Sequence, residues 1–325
     1  MTQRKAPPPP AVIVAGPTAS GKSALALALA RRLDGVVINA DSMQVYRDLR
    51  VLTARPTPDE EASVPHRLYG VRPASEPANA AWWREQALAA MVEASQAGKV
   101  PILCGGTGLY FLSLTRGLAD VPAAPAWARE EARAQLAASG AAALHERLAR
   151  LDPATAAGLR PTDGQRLARA LEVVLGTGRG LAEWRAGGAG GGAAPWPRWA
   201  VLLRPPREEL RGAVAARFDA MLRNGALDEV RAMLDRGLDP RLPAMRAHGV
   251  PELAAHLAGR MAFPEARDRA VANTRQYVKR QDTWFRHYPL AECGMTRHFD
   301  ARYADDAQFP ERTCAEILAF LQAAR

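Results

Sequence analysis

Gly16-Pro17-Thr18-Ala19-Ser20-Gly21-Lys22-Ser23 stands between a short apolar run, AVIVA (11–15), and an Ala/Leu stretch, ALALALARRL (24–33). The segment fits GxxxxGK[ST] in the strand–turn–helix setting that lets this pattern cradle phosphate. Gly16 and Gly21 allow the backbone to turn so that successive amides point inward. A helix starting near Lys22 presents its positive end to the anion. Pro17, Thr18, Ala19 and Ser20 form the body of the loop, Lys22 adds a point charge, and the Ser23 hydroxyl is placed to hold Mg²⁺. The bland alternative is a tight glycine turn without a ligand, and the flanking strand and helix argue against it.

Outward from the loop, VVINAD (36–41), VPILCGG (100–106) and WAVLLRPP (199–206) are further short apolar runs separated by helical texture. Such runs indicate a parallel sheet covered on both faces, with ligands beyond the carboxyl ends of its strands. GPTASGKS, DSMQ and GGTG therefore share one rim. From about 120 the chain turns to Ala, Arg and Glu at helical spacing, and a GGAGGGAA tract (187–194) reads as a flexible connector. The expectation is an α/β fold. A P-loop-type core (11–119 and 196–325) ends in a mainly helical C-terminal region, a helical insertion spans 120–195, and a disordered leader covers 1–10.

The 325 residues are 48% hydrophobic and 24% charged, ordinary globular usage that excludes a disordered or collagen-like chain. Cys104, Cys293 and Cys314 are odd in number and far apart, so neither a disulfide framework nor a CxxC metal pair is written here. The longest apolar runs fall short of a membrane span, and AVIVAG is too short for a signal-peptide core; a cytoplasmic protein is expected. A net charge of +9 hints at a polyanionic partner, although only four of the 43 basic residues are lysine and a compositional arginine skew would give the same sign.

No apolar run ends in Asp-Glu, which counts against an NTPase motor. The strand-end acid is Asp41. It reads as a general base, as support for Mg²⁺, or as a helix N-cap. PEARDRAVANTRQYVKRQDTWFRH (264–287) opens with proline and mixes Arg275, Lys279, Arg280 and Arg286 with Tyr277, Trp284 and Phe285. Cations among aromatics suit looped RNA, and an amphipathic helix with buried aromatics is the competing reading.

GPTASGKS, DSMQVYR (41–47), TARPT (53–57), PHRL (65–68), GGTGLY (105–110), QRLARALEV (165–173) and RQYVKRQDTWFR (275–286) follow one another in order. Together they resemble the bacterial tRNA dimethylallyltransferase family, also called isopentenyltransferases, across residues 11 to about 287. The resemblance implies that a dimethylallyl group passes from dimethylallyl diphosphate to the exocyclic amino group of the adenine 3′ to the anticodon, with Mg²⁺ assisting. The tRNA anticodon stem-loop and the diphosphate donor are then the partners, with no membrane and no obligate protein partner. It also implies that Asp41, Ser42, Met43, Gln44 and Thr107 meet the flipped adenine, with Asp41 as base, and that Arg217 reaches the diphosphate. Arg129 and Gln165, Arg166, Leu167, Ala168 and Arg169 match tRNA-contacting positions; Arg246, Arg275, Lys279 and Arg280 complete that set. The chain departs from the pattern at Arg55, Arg67 and Ser23, and Arg246–Pro251 lacks the tyrosine and following arginine the family carries there. Two other readings remain at this stage: a small-molecule P-loop kinase with an ATP-clamping lid, and a non-catalytic RNA binder.

Overall fold

The computed structural model describes residues 10–187, 192–303 and 311–322. The expected leader, apart from Pro10, and positions 188–191 of the glycine tract lie outside the described residues. In chain order the elements are β1 (Ala11–Ala15), α1 (Lys22–Leu33), β2 (Gly35–Asn39), α2 (Pro58–Ser63), β3 (His66–Arg67), α3 (Ala80–Gln96), β4 (Val100–Gly105) and α4 (Gly108–Thr115). Then follow α5 (Ala126–Leu151), α6 (Pro153–Ala157), α7 (Gly164–Thr177) and α8 (Leu181–Ala186). The chain returns through β5 (Arg198–Leu203), α9 (Arg207–Arg223), α10 (Ala226–Asp235), α11 (Val250–Leu257), α12 (Phe263–His287), β6 (Thr296–Phe299) and α13 (Glu311–Gln322).

Six parallel strands lie in the order β3-β2-β4-β1-β5-β6. Because side chains alternate along a strand, Val12 and Val14 enter one apolar layer with Leu25, Leu29, Ile102 and Val201. Ala11, Ile13 and Ala15 enter the other, with Ile38, Trp83, Leu103 and Phe111. Each fully buried Leu or Ile stabilises the fold by about 1.5–3 kcal/mol relative to exposure, so a strand covered on both faces has no tolerant side. The register pairs Ala15 with Gly105 and with Leu202, and Asn39 with Cys104. Three loops therefore leave the sheet side by side.

Two short strands went unread in the sequence. β3 has two residues, and β6, TRHF, is an edge strand whose central Arg297 and His298 are exposed. Neither carries the apolar run that marks a strand covered on both faces.

Residues 116–193 form a second compact unit, all helical where described. Gly140, at φ 76, breaks α5 into two helices. These and α7 enclose a core of Ala132, Leu144, Leu148, Leu167, Ala170 and Leu171. Asp152 fixes the turn between α5 and α8: it caps α6 through the Thr155 N–H (3.1 Å) and accepts from Leu181 N (2.8 Å). Among the described residues, no helix is long and apolar enough to cross a membrane.

Candidate active site

The loop after β1 is packed from behind. A Cβ at Gly16 would lie 2.7 Å from Ser20 Oγ and 2.8 Å from the Leu203 carbonyl. Gly21 has φ +88, and a Cβ there would lie 1.6 Å from the Tyr303 carbonyl. Tyr303 N donates to Ser20 O (3.0 Å) and Arg302 Nε to Ala19 O (3.0 Å), so residues 302–303 strap the loop. Within it the Ser20 hydroxyl is fully buried and has no partner among the described residues. Lys22 is buried as well, with one long contact to Pro17 O (3.4 Å). Burial lowers its pKa, the Asp41 charge pulls it back, and Arg217 lowers it further. A buried ammonium and a buried hydroxyl, both short of acceptors, suit an anion, since such groups are costly unless paired.

Asp41 sits two residues past β2. Trp83 Nε1 donates to Asn39 O (2.7 Å), and Asn39 both donates to Asp41 O (2.9 Å) and accepts from Asp41 N (2.8 Å). Asp41 Oδ1 accepts from Met43 N (2.9 Å) while Oδ2 makes no hydrogen bond among the described residues. The aspartate thus caps a turn, and the helix N-cap reading is corrected: the chain makes turns from 42 to 45 with no helix. Thr107 holds the same turn, its Oγ1 accepting from Ser42 N (2.9 Å) and its N–H donating to Ala40 O (3.2 Å).

Gln281, unread in the sequence, joins these parts. Its Oε1 accepts from Thr18 N (2.9 Å) and Thr18 Oγ1 (3.2 Å), and its Nε2 donates to Gly106 O (2.9 Å). The glycines of GGTG are spacing devices. Cβ atoms at Gly105, Gly106 and Gly108 would lie within 2.1–2.3 Å of Ala40 O, Gln281 Nε2 and the Trp284 ring. The signal was present: Gln281 is the one polar residue on the buried stripe of α12, between Val278 and Phe285.

Phosphate loop and aspartate open onto one cavity of about 280 Å³, whose lining includes Thr18, Asp41, Ser42, Met43, Arg217, Arg246, His248, Tyr277 and Arg280. Leu52, Val214, Phe218 and Met221 give it an apolar side. Arg217 donates to Thr53 O (3.3 Å); burial lowers its pKa and the Asp41 charge opposes that shift. Burial, then the Asp41 charge, push the Tyr277 hydroxyl up; Thr107 and Gln281 hydrogen bonds pull the other way. His248 packs on Tyr277 with ring centroids 4.8 Å apart, and burial first, then Arg280, lowers its pKa. A second cavity of about 660 Å³ includes Pro17, Arg204, Arg207, Arg275, Lys279 and Arg286 in its lining and shares Val214 with the first.

The IPP transferase family matches residues 44–288. The tRNA dimethylallyltransferase of Granulibacter bethesdensis is 57% identical over 316 residues, 96% of this chain and 98% of that protein. That of Acidiphilium cryptum is 57% identical over 317 residues, covering 97% and 96%. This chain belongs to the IPP transferase family. As a member of it the chain is an enzyme, and solved structures of the family share its fold. The full-length tRNA isopentenylpyrophosphate transferase of Bacillus halodurans is 32% identical, with a TM-score of 0.68 and 97% of each chain covered. A eukaryotic dimethylallyltransferase, described as acting on tRNA, is 26% identical with a TM-score of 0.78, covering 96% of this chain and 79% of that one.

Set against the IPP transferase motifs, the residues singled out in the sequence divide into groups. Asp41, Ser42, Met43, Arg217, Arg246 and Arg280 line the first cavity with Thr18, whereas Arg275 and Lys279 line the second. Thr107 lies outside the lining and acts through Ser42. Gln44 is buried with its amide donating to Thr53 O (2.9 Å) and Ala54 O (3.0 Å), which fixes the neighbouring TARPT segment. Ser23 is exposed on the first turn of α1 beside Cys104, whose Sγ donates to Lys22 O (3.5 Å) and whose thiol burial pushes up to about 11, the Ser23 hydroxyl pulling the other way. Arg129, Gln165, Arg166 and Arg169 are exposed on the helical unit, and Ala168 is half-buried. Leu167 is a correction: its side chain is fully buried in that unit's core and is not presented to solvent. Of the two readings left open for the aromatics of α12, packing holds for Phe285, which is buried, and for Trp284, which is seated on Gly108 and Tyr288.

Proposed function

We propose that the chain transfers the dimethylallyl group of dimethylallyl diphosphate to the exocyclic amino group of the adenine 3′ to a tRNA anticodon, releasing diphosphate. The observation that carries this reading is the single cavity shared by Thr18 of the phosphate loop, Arg217 and Asp41. A leaving diphosphate and a base acting on the incoming nucleophile are needed at one reacting centre, and that cavity offers both.

The amino group of adenine is a poor nucleophile because its lone pair is delocalised into the ring. As its nitrogen bonds to the allylic carbon, the carbon–oxygen bond breaks and the electron pair leaves with the diphosphate. The nitrogen turns strongly acidic, and Asp41 Oδ2, without a hydrogen bond among the described residues, takes the proton while Oδ1 stays fixed by Met43 N. Lys22, the Ser20 hydroxyl, the loop amides and Arg217 meet the charge that develops on the leaving oxygens. Groups held in place before reaction stabilise such charge most, since they need not reorganise. Thr107 and Gln281 set the two loops relative to each other, and orientation of this kind supplies much of a bimolecular rate enhancement.

Among the described residues no group of three or more His, Cys, Asp or Glu could hold a metal ion. The hydroxyl of Ser23, exposed on α1 outside the lining of either cavity, and the Asp41 carboxylate in the first cavity are the hard oxygens that would hold Mg²⁺, which binds through one or two protein oxygens, waters and substrate phosphates. When bound there, Mg²⁺ neutralises charge on the diphosphate. Arg246 and Arg280 at the cavity, Arg275 and Lys279 beside it, and Arg129, Gln165, Arg166 and Arg169 on the helical unit are the proposed tRNA contacts. Extruding the adenine costs a few kcal/mol, least in a loop, and contacts to the RNA backbone offset it.

The test is incubation with an unmodified tRNA transcript and labelled dimethylallyl diphosphate in the absence of ATP. Label is expected on RNA. Phosphate transfer from ATP to a small molecule, with no label on RNA, would overturn the proposal in favour of a kinase.

A further inference from the structure

The donor in the reaction above is amphipathic, and so is the face that α9 turns to the cavity. Val214, Arg217, Phe218 and Met221 fall at i, i+3, i+4 and i+7, one side of a helix, and all four line the cavity. A single cation is thus embedded in a row of apolar side chains. Leu52 faces the same space from the loop before α2. We infer that Leu52, Val214, Phe218 and Met221 form the receptor for the donor's hydrocarbon, and that their fit sets its length at one isoprene unit; this rests on the transfer reaction proposed above.

Three observations make this wall stiff. The loop that carries Leu52 is held by Glu229 of α10, whose carboxylate accepts from Val51 N (2.8 Å) and Leu52 N (2.9 Å). Behind the wall lies Gly249, at φ +96, where a Cβ would lie 2.9 Å from both Leu52 Cδ2 and Phe218 Cε2. Phe218 and Met221 also belong to the main apolar core with Val230, Met233 and Met245, so they cannot swing aside without opening it. The cavity of about 280 Å³ must admit the adenine ring as well as the prenyl group. On this reading a second isoprene unit, directed at the apolar wall, meets space that Phe218 and Met221 fill. Close-packed interiors yield little to extra methylenes, which cost about 1–3 kcal/mol when forced in.

The experiment compares dimethylallyl with geranyl diphosphate, one isoprene unit longer, as donors to the same tRNA. The unaltered enzyme is expected to use geranyl diphosphate poorly. Met221→Ala should raise the geranyl-to-dimethylallyl ratio of kcat/KM by about 100-fold, the order of discrimination an apolar pocket attains. Phe218→Leu, a milder change that keeps most of the core filled, should shift the ratio in the same direction by less. Val214→Phe should depress dimethylallyl transfer while inorganic pyrophosphate inhibits as before, because the phosphate loop is untouched. An unaltered enzyme that accepts both donors equally, or a ratio unmoved in both Met221→Ala and Phe218→Leu, would overturn the inference and leave the transfer reaction standing. Failure of the unaltered enzyme to transfer dimethylallyl to RNA would take both down.

Discussion

In the α/β unit Lys22 is buried and Arg217 is held to Thr53 O, whereas in the helical unit Arg129, Arg166 and Arg169 stand in solvent. Arg166 pairs with Asp163, the N-cap of its helix, and Arg169 with Glu172 on that helix. The same kind of charge therefore has two different weights. Burial strips water from the first pair, so an arriving anion regains interactions that bulk solvent no longer supplies. Solvent already serves the second set, whose worth is an additive, salt-screened attraction. On the proposed reading, chemistry belongs where the charge is desolvated, and grip where it is not.

The largest expected effect tests the buried side. Asp41→Ala should lower turnover by roughly 100- to 10,000-fold, the range for losing a general base, with tRNA affinity by filter binding unchanged. A loss below about tenfold would remove Asp41 from that role and would leave the buried region without its base. Lys22→Ala should follow, lowering kcat/KM for the donor by roughly 100- to 1,000-fold, as for other preorganised oxyanion contacts, and weakening inhibition by pyrophosphate. Gln281→Leu tests the clamp instead of the chemistry. It leaves the Thr18 N–H unsatisfied, so chemical denaturation should show a loss of about 1–3 kcal/mol, with turnover reduced and tRNA affinity kept.

On the exposed side, Arg166→Ala with Arg169→Ala should reduce tRNA affinity modestly, lowering the salt dependence of binding by about one unit for each RNA phosphate that an arginine no longer reaches. Turnover at saturating tRNA should hold; if it fell as it does for Lys22→Ala, the contrast between the two units would be wrong. The smallest effect concerns His248. Burial holds its folded-state pKa below the ordinary value of 6.5, so protonation favours the unfolded chain. Its stabilising contribution is complete above pH 6.5 and is lost as the pH falls through the folded value. His248→Gln should therefore lose less thermal stability than the parent between about pH 7 and about pH 5.

What was readable in the sequence follows the same physics. The phosphate loop, β1, β2, β4 and β5 announce themselves because strands covered on both faces demand unbroken apolar runs, and the turn beside them demands glycine. α12 was legible almost to the residue from its opening proline and helical spacing. Its inner contacts were not: whether Trp284 stacks on a base or fills the notch at Gly108 depends on a neighbour 176 positions away, as Gln281 depends on Gly106, a separation of 175. Leu167 misled because a motif match names positions and cannot say which side of a helix each one occupies; its complete burial does. Edge strand β6 escaped notice because a strand paired on one side alone needs few apolar residues.

The Tyr303 carbonyl resting against Gly21 has a consequence for how the protein is made. The phosphate loop is made well before its strap at 302–303 and its Gln281 clamp, which lies 263 residues after Thr18. Domains fold largely as units during synthesis, and here the phosphate loop lacks its restraints until residues 281 and 302–303 have been added. A nascent chain halted before residue 281 would carry the whole GxxxxGK[ST] signature with neither of the restraints that shape it, so enzymatic competence arrives late and all together.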